Sequence, residues 1–141
     1  MRRGSTYVGP SLEGSSTMDS PADLFATWLP RIGAAITLLF GLIGLLKPRI
    51  FLDPLNIQLG GPAAFSEARA VFGGLNLGLS IAALTLDEPP VFTALGIAWG
   101  AVTLARFWSI AVDGMGFRAS MPVVVLDGAL CLLFLSPLLL R

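Results

Sequence analysis

The chain has 141 residues, of which 55% are hydrophobic and 13% charged, with nine Lys and Arg balancing nine Asp and Glu. Soluble domains usually carry about 25% charged residues, so this composition is typical of an integral membrane protein. There is no basic excess to bind nucleic acid, and that class of partner is set aside. Histidine is absent. Its absence excludes imidazole-ligated haem and most zinc or copper sites, and no metal site is predicted.

Residues 1–20 are polar and rich in Gly, Ser and Thr. This composition predicts a flexible N-terminal segment with nothing to pack against. Met18 stands just before the first helix signal, so the natural start of the chain could be Met1 or Met18. Ser20 and Pro21 are typical of a helix start, as N-cap and first-turn residue. Residues 21–141 are predicted to form a single four-helix transmembrane domain.

The first apolar segment ends at Lys47-Pro48 and, with the turns before it, is long enough to span about 30 Å of hydrocarbon. Pro30 is expected to kink this helix or to separate it from the turns before it. Residues 48–61 form a loop that is unusually apolar. We expect this loop to lie at the membrane interface or to fold over the mouth of the bundle.

Three further apolar spans follow: Ala63 to Leu86, Val91 to Val112, and Ser120, as helix cap, to about Leu135. Short connections between four spans predict an all-α integral membrane bundle with up-down-up-down topology. An even number of spans places both termini on one side of the membrane. The basic residues near the spans do not decide the orientation.

Four charged residues are predicted at one depth of this bundle: Glu67, Arg69, Arg106 and Asp127. With a rise of 1.5 Å per residue, the first two lie about 7–10 Å from the start of the second span. Arg106 and Asp127 lie seven residues from the corresponding ends of the third and fourth spans. A charge within a span costs roughly 2.5–3.5 kcal/mol and normally pairs inside the protein. We therefore expect Glu67 to meet Arg106, or Arg69 to meet Asp127, across the helices. Asp113 is a further candidate partner for Arg106.

If the second span is a regular α-helix, its small and polar residues form two stripes along it. They are Glu67, Val71, Gly74 and Gly78, and Arg69, Gly73, Asn76 and Ser80. Asn76 lies deeper, about 20 Å from the helix start, and needs a hydrogen-bond partner there. Glycines spaced four apart permit close approach of helices. The predicted packing residues are Gly73, Gly74, Gly78, Gly96 and Gly100.

Two interpretations of the charged layer stay open. In the first, the four residues form a neutral structural clasp that holds the bundle together. In the second, they line a small polar pocket that takes a lipid head group, a quinone-like ring or a small metabolite. Arginine guanidinium groups fit carboxylate or phosphate, so an anionic ligand is also compatible with this pocket.

The start of the second span resembles the signature of a known family. The matching residues are Ser66-Glu67-x-Arg69-x3-Gly73-Gly74-x-Asn76-x-Gly78, and Arg106, Asp113-Gly114 and Asp127 also fit. The family consists of small bacterial four-helix membrane proteins and is known as a domain of unknown function. The resemblance covers roughly residues 25–140 and implies a compact bundle in the bacterial inner membrane, without implying an activity. The layout is similar to that of DoxX-like membrane proteins, at the level of the fold.

Small size and the absence of histidine favour a non-catalytic protein, such as an accessory subunit of a larger membrane complex. Its predicted partners are membrane lipids and either another protein or further copies of the chain. The alternative is a binder or carrier of a small lipid-like or anionic molecule, held by the charged layer. A membrane enzyme with Glu67 as base lacks a nucleophile–base pair, and no catalytic residue is predicted. No cofactor is predicted, although a bound lipid, quinone or carotenoid is compatible with the bundle.

Overall fold

The computed structural model describes residues 20–114 and 116–140, and all regular secondary structure in these residues is helical. Four helices are long and apolar enough to cross a membrane. In chain order the helices are α1 Pro21–Leu46, the short α2 Arg49–Leu52, α3 Pro62–Leu86, α4 Pro89–Val112 and α5 Phe117–Leu139. The predicted all-α four-helix membrane bundle is confirmed. The predicted flexible segment lies outside the described residues, apart from Ser20.

α1 begins where the sequence predicts, because the Ser20 side chain accepts a hydrogen bond of 3.2 Å from the backbone N–H of Ala22. The expected separation at Pro30 does not occur. Pro30 is buried within a continuous helix. Membrane helices tolerate proline where packing and nearby side chains compensate for the lost hydrogen bond. The carbonyl that loses its backbone donor is that of Ala26, four residues before Pro30, whereas the Arg31 guanidinium donates to the next carbonyl, that of Thr27.

α5 is longer at both ends than predicted. Ser120 is not its cap, since the helix begins at Phe117 and the Ser120 hydroxyl donates to the Gly116 carbonyl. The helix also continues past Pro137, which lacks the N–H that would reach the Leu133 carbonyl. The Ser136 hydroxyl donates to that carbonyl instead, at 2.8 Å. A side chain thus replaces the missing backbone donor, and the helix does not end.

α1 is the central helix of the bundle, with α3 packed on one side and α5 on the other. α4 packs along α5 and touches α3 mainly in the part of α3 that follows Asn76. The tightest contact is made by Gly41 and Gly44 of α1, because a Cβ on Gly41 would lie 2.5 Å from the Leu77 nitrogen. The buried core lies near the α3–α4 turn, around the stacked rings of Phe92 and Phe134. The other end of the bundle, which carries residues 47–61, is called the loop end below.

Candidate ligand-binding cavity

A cavity of about 400 Å³ lies near the loop end, where α3 and α4 diverge. α3 and α4 form its two walls, and α1 and α5 contribute the side between them. Twelve of its fifteen lining residues are apolar, and the polar three are Asn76, Arg106 and Asp127. The apolar lining residues are Phe40, Ile50, Phe51, Pro54, Leu55, Val71, Phe72, Leu75, Trp99, Val102, Val123 and Leu126. A small cluster of polar groups in an apolar cavity is the usual form of a small-molecule site.

Arg106 of α4 and Asp127 of α5 form an ion pair in this cavity, through Nε of the arginine and Oδ2 of the acid. The Asp127 side chain is 4% exposed and that of Arg106 is 29% exposed. The two terminal nitrogens of the guanidinium donate to no other described residue. The pair is therefore neutral overall, but it leaves N–H donors that a ligand in the cavity can use.

Asn76 lines the cavity and directly follows a π-helical stretch of α3, Arg69–Leu75. Its amide nitrogen donates to the carbonyls of Val71, at 3.4 Å, and Phe72, at 3.2 Å. A π turn interrupts the regular i to i−4 hydrogen-bond series, and such turns are frequent at functional sites. The amide oxygen of Asn76 accepts no hydrogen bond from the described residues. The cavity therefore contains an acceptor as well as donors.

The connection between α1 and α3 covers one side of the cavity, in agreement with the expectation that it folds over the mouth of the bundle. It is partly helical, with α2 followed by a 3₁₀ turn at Asp53–Leu55. Phe51 of this connection meets Phe40 edge-on at 6.0 Å and stacks on Phe72 at 6.4 Å, between ring centroids. These three rings fix the connection to α1 and α3 and give the cavity an aromatic side.

The structure brings Arg106 and Asp127 of the predicted charged layer together with Asn76, and it leaves out Glu67 and Arg69. Both of these side chains are exposed and form no ion pair or hydrogen bond with another described residue. The expected pairs of Glu67 with Arg106 and of Arg69 with Asp127 do not form. The reason is that α5 packs along α4, whereas the cavity separates α4 from this part of α3. Arg106 therefore meets the acid on α5.

Of the five predicted packing glycines, three contact another helix and two do not. Gly73 packs against α1, and a Cβ there would lie 2.6 Å from the Leu45 Cα. Gly96 and Gly100 face Leu135 and Cys131 of α5. Gly74 and Gly78 face open space instead. The members of the stripe Arg69, Gly73, Asn76 and Ser80 differ in exposure, since Arg69 is exposed whereas Gly73 and Ser80 are buried, and the π stretch Arg69–Leu75 lies within this stripe.

Sequence reasoning missed two features that position these helices. The first is the pair Gly41 and Gly44 of α1, on which α3 packs. Their spacing of three residues within an apolar run was the signal that could have found them. The second is the ion pair of Arg31 with Asp87, at 2.6 Å, which fastens α1 to the α3–α4 turn. Both residues lie at the same predicted end of the bundle, which was the signal available.

Comparisons of this chain with models of protein families, with curated proteins and with solved structures find no match. The resemblance of residues 66–78 to a domain of unknown function, and the DoxX-like layout, therefore stay predictions.

Proposed function

We propose that this protein binds a small, uncharged, amphipathic molecule of the membrane in the cavity between α3 and α4. The observation that carries this proposal is the joint presence of an apolar cavity of about 400 Å³ and three clustered polar side chains in its lining. Cavities of roughly 300–1,000 Å³ with few polar groups are typical of sites for small molecules. The expected setting of a bacterial inner membrane, and the accessory-subunit role, stay predictions.

The charges in the cavity favour an uncharged head group. Asp127 already balances the charge of Arg106, so an anionic ligand would bring an unbalanced charge into a low-dielectric site at a cost. A carbonyl oxygen can accept hydrogen bonds from the unused guanidinium nitrogens without adding charge. The neutral ion pair therefore favours carbonyl-bearing molecules, such as quinones or the ester groups of lipids, over anionic ligands.

The aromatic side of the cavity favours a planar ring. Phe40, Phe51, Phe72 and Trp99 all contribute to its lining. Offset-stacked or edge-to-face arrangements of rings contribute about 0.5–1.5 kcal/mol beyond the burial of their area. A quinone-like ring satisfies both requirements, since it presents carbonyl oxygens to Arg106 and flat faces to the aromatic residues.

The cavity also opens to the surface of the bundle, at a level that lies within the membrane. Val71 and Leu75 on α3 and Val102 on α4 line it and yet remain exposed on the bundle surface. These residues lie within membrane-spanning helices. An apolar molecule can therefore enter laterally from the bilayer, without crossing water.

Trp99 provides a direct test, because it is the tryptophan that lines the cavity among the chain's three. A Trp28→Phe/Trp108→Phe variant in detergent micelles is titrated with a short-chain benzoquinone, which quenches tryptophan fluorescence. We expect saturable quenching of Trp99. The matched control, Trp28→Phe/Trp99→Phe, keeps Trp108, which is 70% exposed, and should show only the gradual quenching of partition into the micelle. Parallel quenching of the two variants would contradict the proposal.

Two substitutions on α5 distinguish binding of the quinone in the cavity from unspecific effects of an added aromatic ring. Val123 lines the cavity, whereas Val125, two residues on, is 64% exposed and does not. In the Trp99-only background, Val123→Phe should abolish saturation and Val125→Phe should leave it unchanged. Arg106→Leu/Asp127→Leu should raise the half-quenching concentration about tenfold, as expected for a lost hydrogen bond to a charged donor. Saturation that survives Val123→Phe would place the quinone elsewhere.

A further inference from the structure

The outer face of α3 is made of small residues that the bundle does not use. Ala70, Gly74 and Gly78 follow one another at intervals of four and are all exposed. A Cβ on Gly78 would have no atom within 4 Å, and one on Gly74 would meet only the Arg69 carbonyl oxygen, at 3.9 Å. Small residues at this spacing allow two membrane helices to approach closely.

Glu67 and Arg69 border this face. The rotation per residue is about 100° up to Ala68 and somewhat smaller in the π-helical stretch that begins at Arg69, so Ala70 projects between Glu67 and Arg69. Both lie inside a membrane-spanning helix and have no ion-pair partner among the described residues. Charges in such helices normally pair within protein. The bundle thus exposes one acid and one base, on opposite edges of a face that favours helix contact.

We infer that this face of α3 binds a second copy of the chain through a parallel, two-fold contact. Two copies inserted in the same direction are related by an axis along the bundle, so residues of equal depth meet. Such an axis brings one edge of the face against the opposite edge in the other copy. Glu67 of each copy then meets Arg69 of the other, since the two residues differ in depth by about 3 Å.

The charges at the two edges indicate that the partner of this face is a second copy of the chain. A second copy supplies an arginine for Glu67 and a glutamate for Arg69 at the required edges, which makes the contact self-complementary and neutral. It also supplies small residues, Ala70, Gly74 and Gly78, for the close approach. The cavity is lined by other residues of α3, Val71, Leu75 and Asn76 among them, so the proposed ligand site and the dimer contact use different residues of this helix.

The test measures dimerisation of the full chain in lipid bilayers, by single-molecule co-localisation over a range of protein-to-lipid ratios. The wild type should dimerise, and Gly78→Ile should raise the dissociation constant at least about tenfold by separating the helices. Ala101→Ile, at an exposed position of α4, is the matched control and should leave the dimer unchanged. Circular dichroism identifies any variant that fails to fold.

Charge reversal tests the pairing itself. Glu67→Arg and Arg69→Glu should each abolish the homodimer, because each places like charges at both edges. Mixing these two variants should restore dimers that contain one copy of each, since their charges are then complementary. Failure of the mixture to associate, a monomeric wild type, or a dimer indifferent to Gly78→Ile would each overturn the inference. A monomer that co-purifies with a different membrane protein in fixed proportion would assign the face to that protein instead.

Discussion

Asp127 and Arg106 form one ion pair but differ in their access to the surroundings. The Asp127 side chain is 4% exposed, whereas that of Arg106 is 29% exposed and lines the cavity. If the arginine is removed, the carboxylate stays buried without a counter-charge. If the acid is removed, the long arginine side chain can move its charge toward the cavity opening. The two halves of the pair therefore do not contribute equally to stability.

We predict that Arg106→Ala lowers the free energy of unfolding by roughly 3–5 kcal/mol, the usual cost of leaving a buried charge unpaired. Asp127→Ala should cost clearly less. Arg106→Leu/Asp127→Leu should be closer to wild type than Arg106→Ala, because it removes both charges. Unfolding by SDS in mixed micelles, followed by circular dichroism, measures all three. Equal losses for the two single variants would contradict this account of the pair.

The four-span architecture could be predicted from sequence because the apolar length of a helix is a local property. The helix boundaries are also marked clearly in the sequence, by Pro21, by the α3–α4 turn at Asp87 and by the loop after Val112. The common depth of Arg106 and Asp127 could also be predicted, because it follows from the rise per residue. Their pairing could not be predicted, since it depends on which helices are neighbours, and the sequence order of the spans does not reveal that.

The directions of Asn76 and Gly78 relative to Glu67 and Arg69 depend on a feature that periodicity does not show. The π-helical stretch Arg69–Leu75 changes the rotation of every later residue of α3 relative to Glu67. Gly78, expected on the stripe of Glu67, belongs to the outer face. Asn76, expected on the stripe of Arg69, lines the cavity. Periodicity alone predicts a regular α-helix here, whereas residues 69–75 form a wider, π-helical turn.

Neighbouring glycines of α3 should respond differently to the same substitution. Gly73→Ala should destabilise the bundle by about 1–3 kcal/mol, because its methyl group would be forced against the backbone of Leu45. Gly74→Ala should change stability by less than about 0.5 kcal/mol, since this position is open. Unfolding is compared at a high detergent-to-protein ratio, where copies of the chain are separated. A similar loss for both variants would show that helix flexibility, not the contact with α1, makes glycine necessary.

Asn76 should stabilise the π turn through its side chain. Asn76→Ala removes the donor to the Val71 and Phe72 carbonyls and should cost about 1 kcal/mol in unfolding free energy. Thr85→Val is the control in the same helix. Its hydroxyl donates to the Ile81 carbonyl, which a regular α-helix already supplies with a backbone donor, so the loss there should be smaller. If Thr85→Val costs as much as Asn76→Ala, the π turn does not depend on the asparagine.

Asp87 should contribute to stability mainly because it tolerates the left-handed backbone conformation of the turn, and less through its charge. It has φ of 52° in the α3–α4 turn, and its ion pair with Arg31 joins side chains that are 43% and 32% exposed. Exposed pairs contribute at most about 1 kcal/mol, so Asp87→Asn, which tolerates this φ, should remain near wild type. Asp87→Val should lose a further 1–2 kcal/mol or so, the cost of a left-handed conformation. Glu88→Val, next in the chain with φ of −103°, controls for the added apolar surface and should show no such loss. Equal destabilisation by Asn and Val at position 87 would instead make the Arg31 ion pair the dominant contribution.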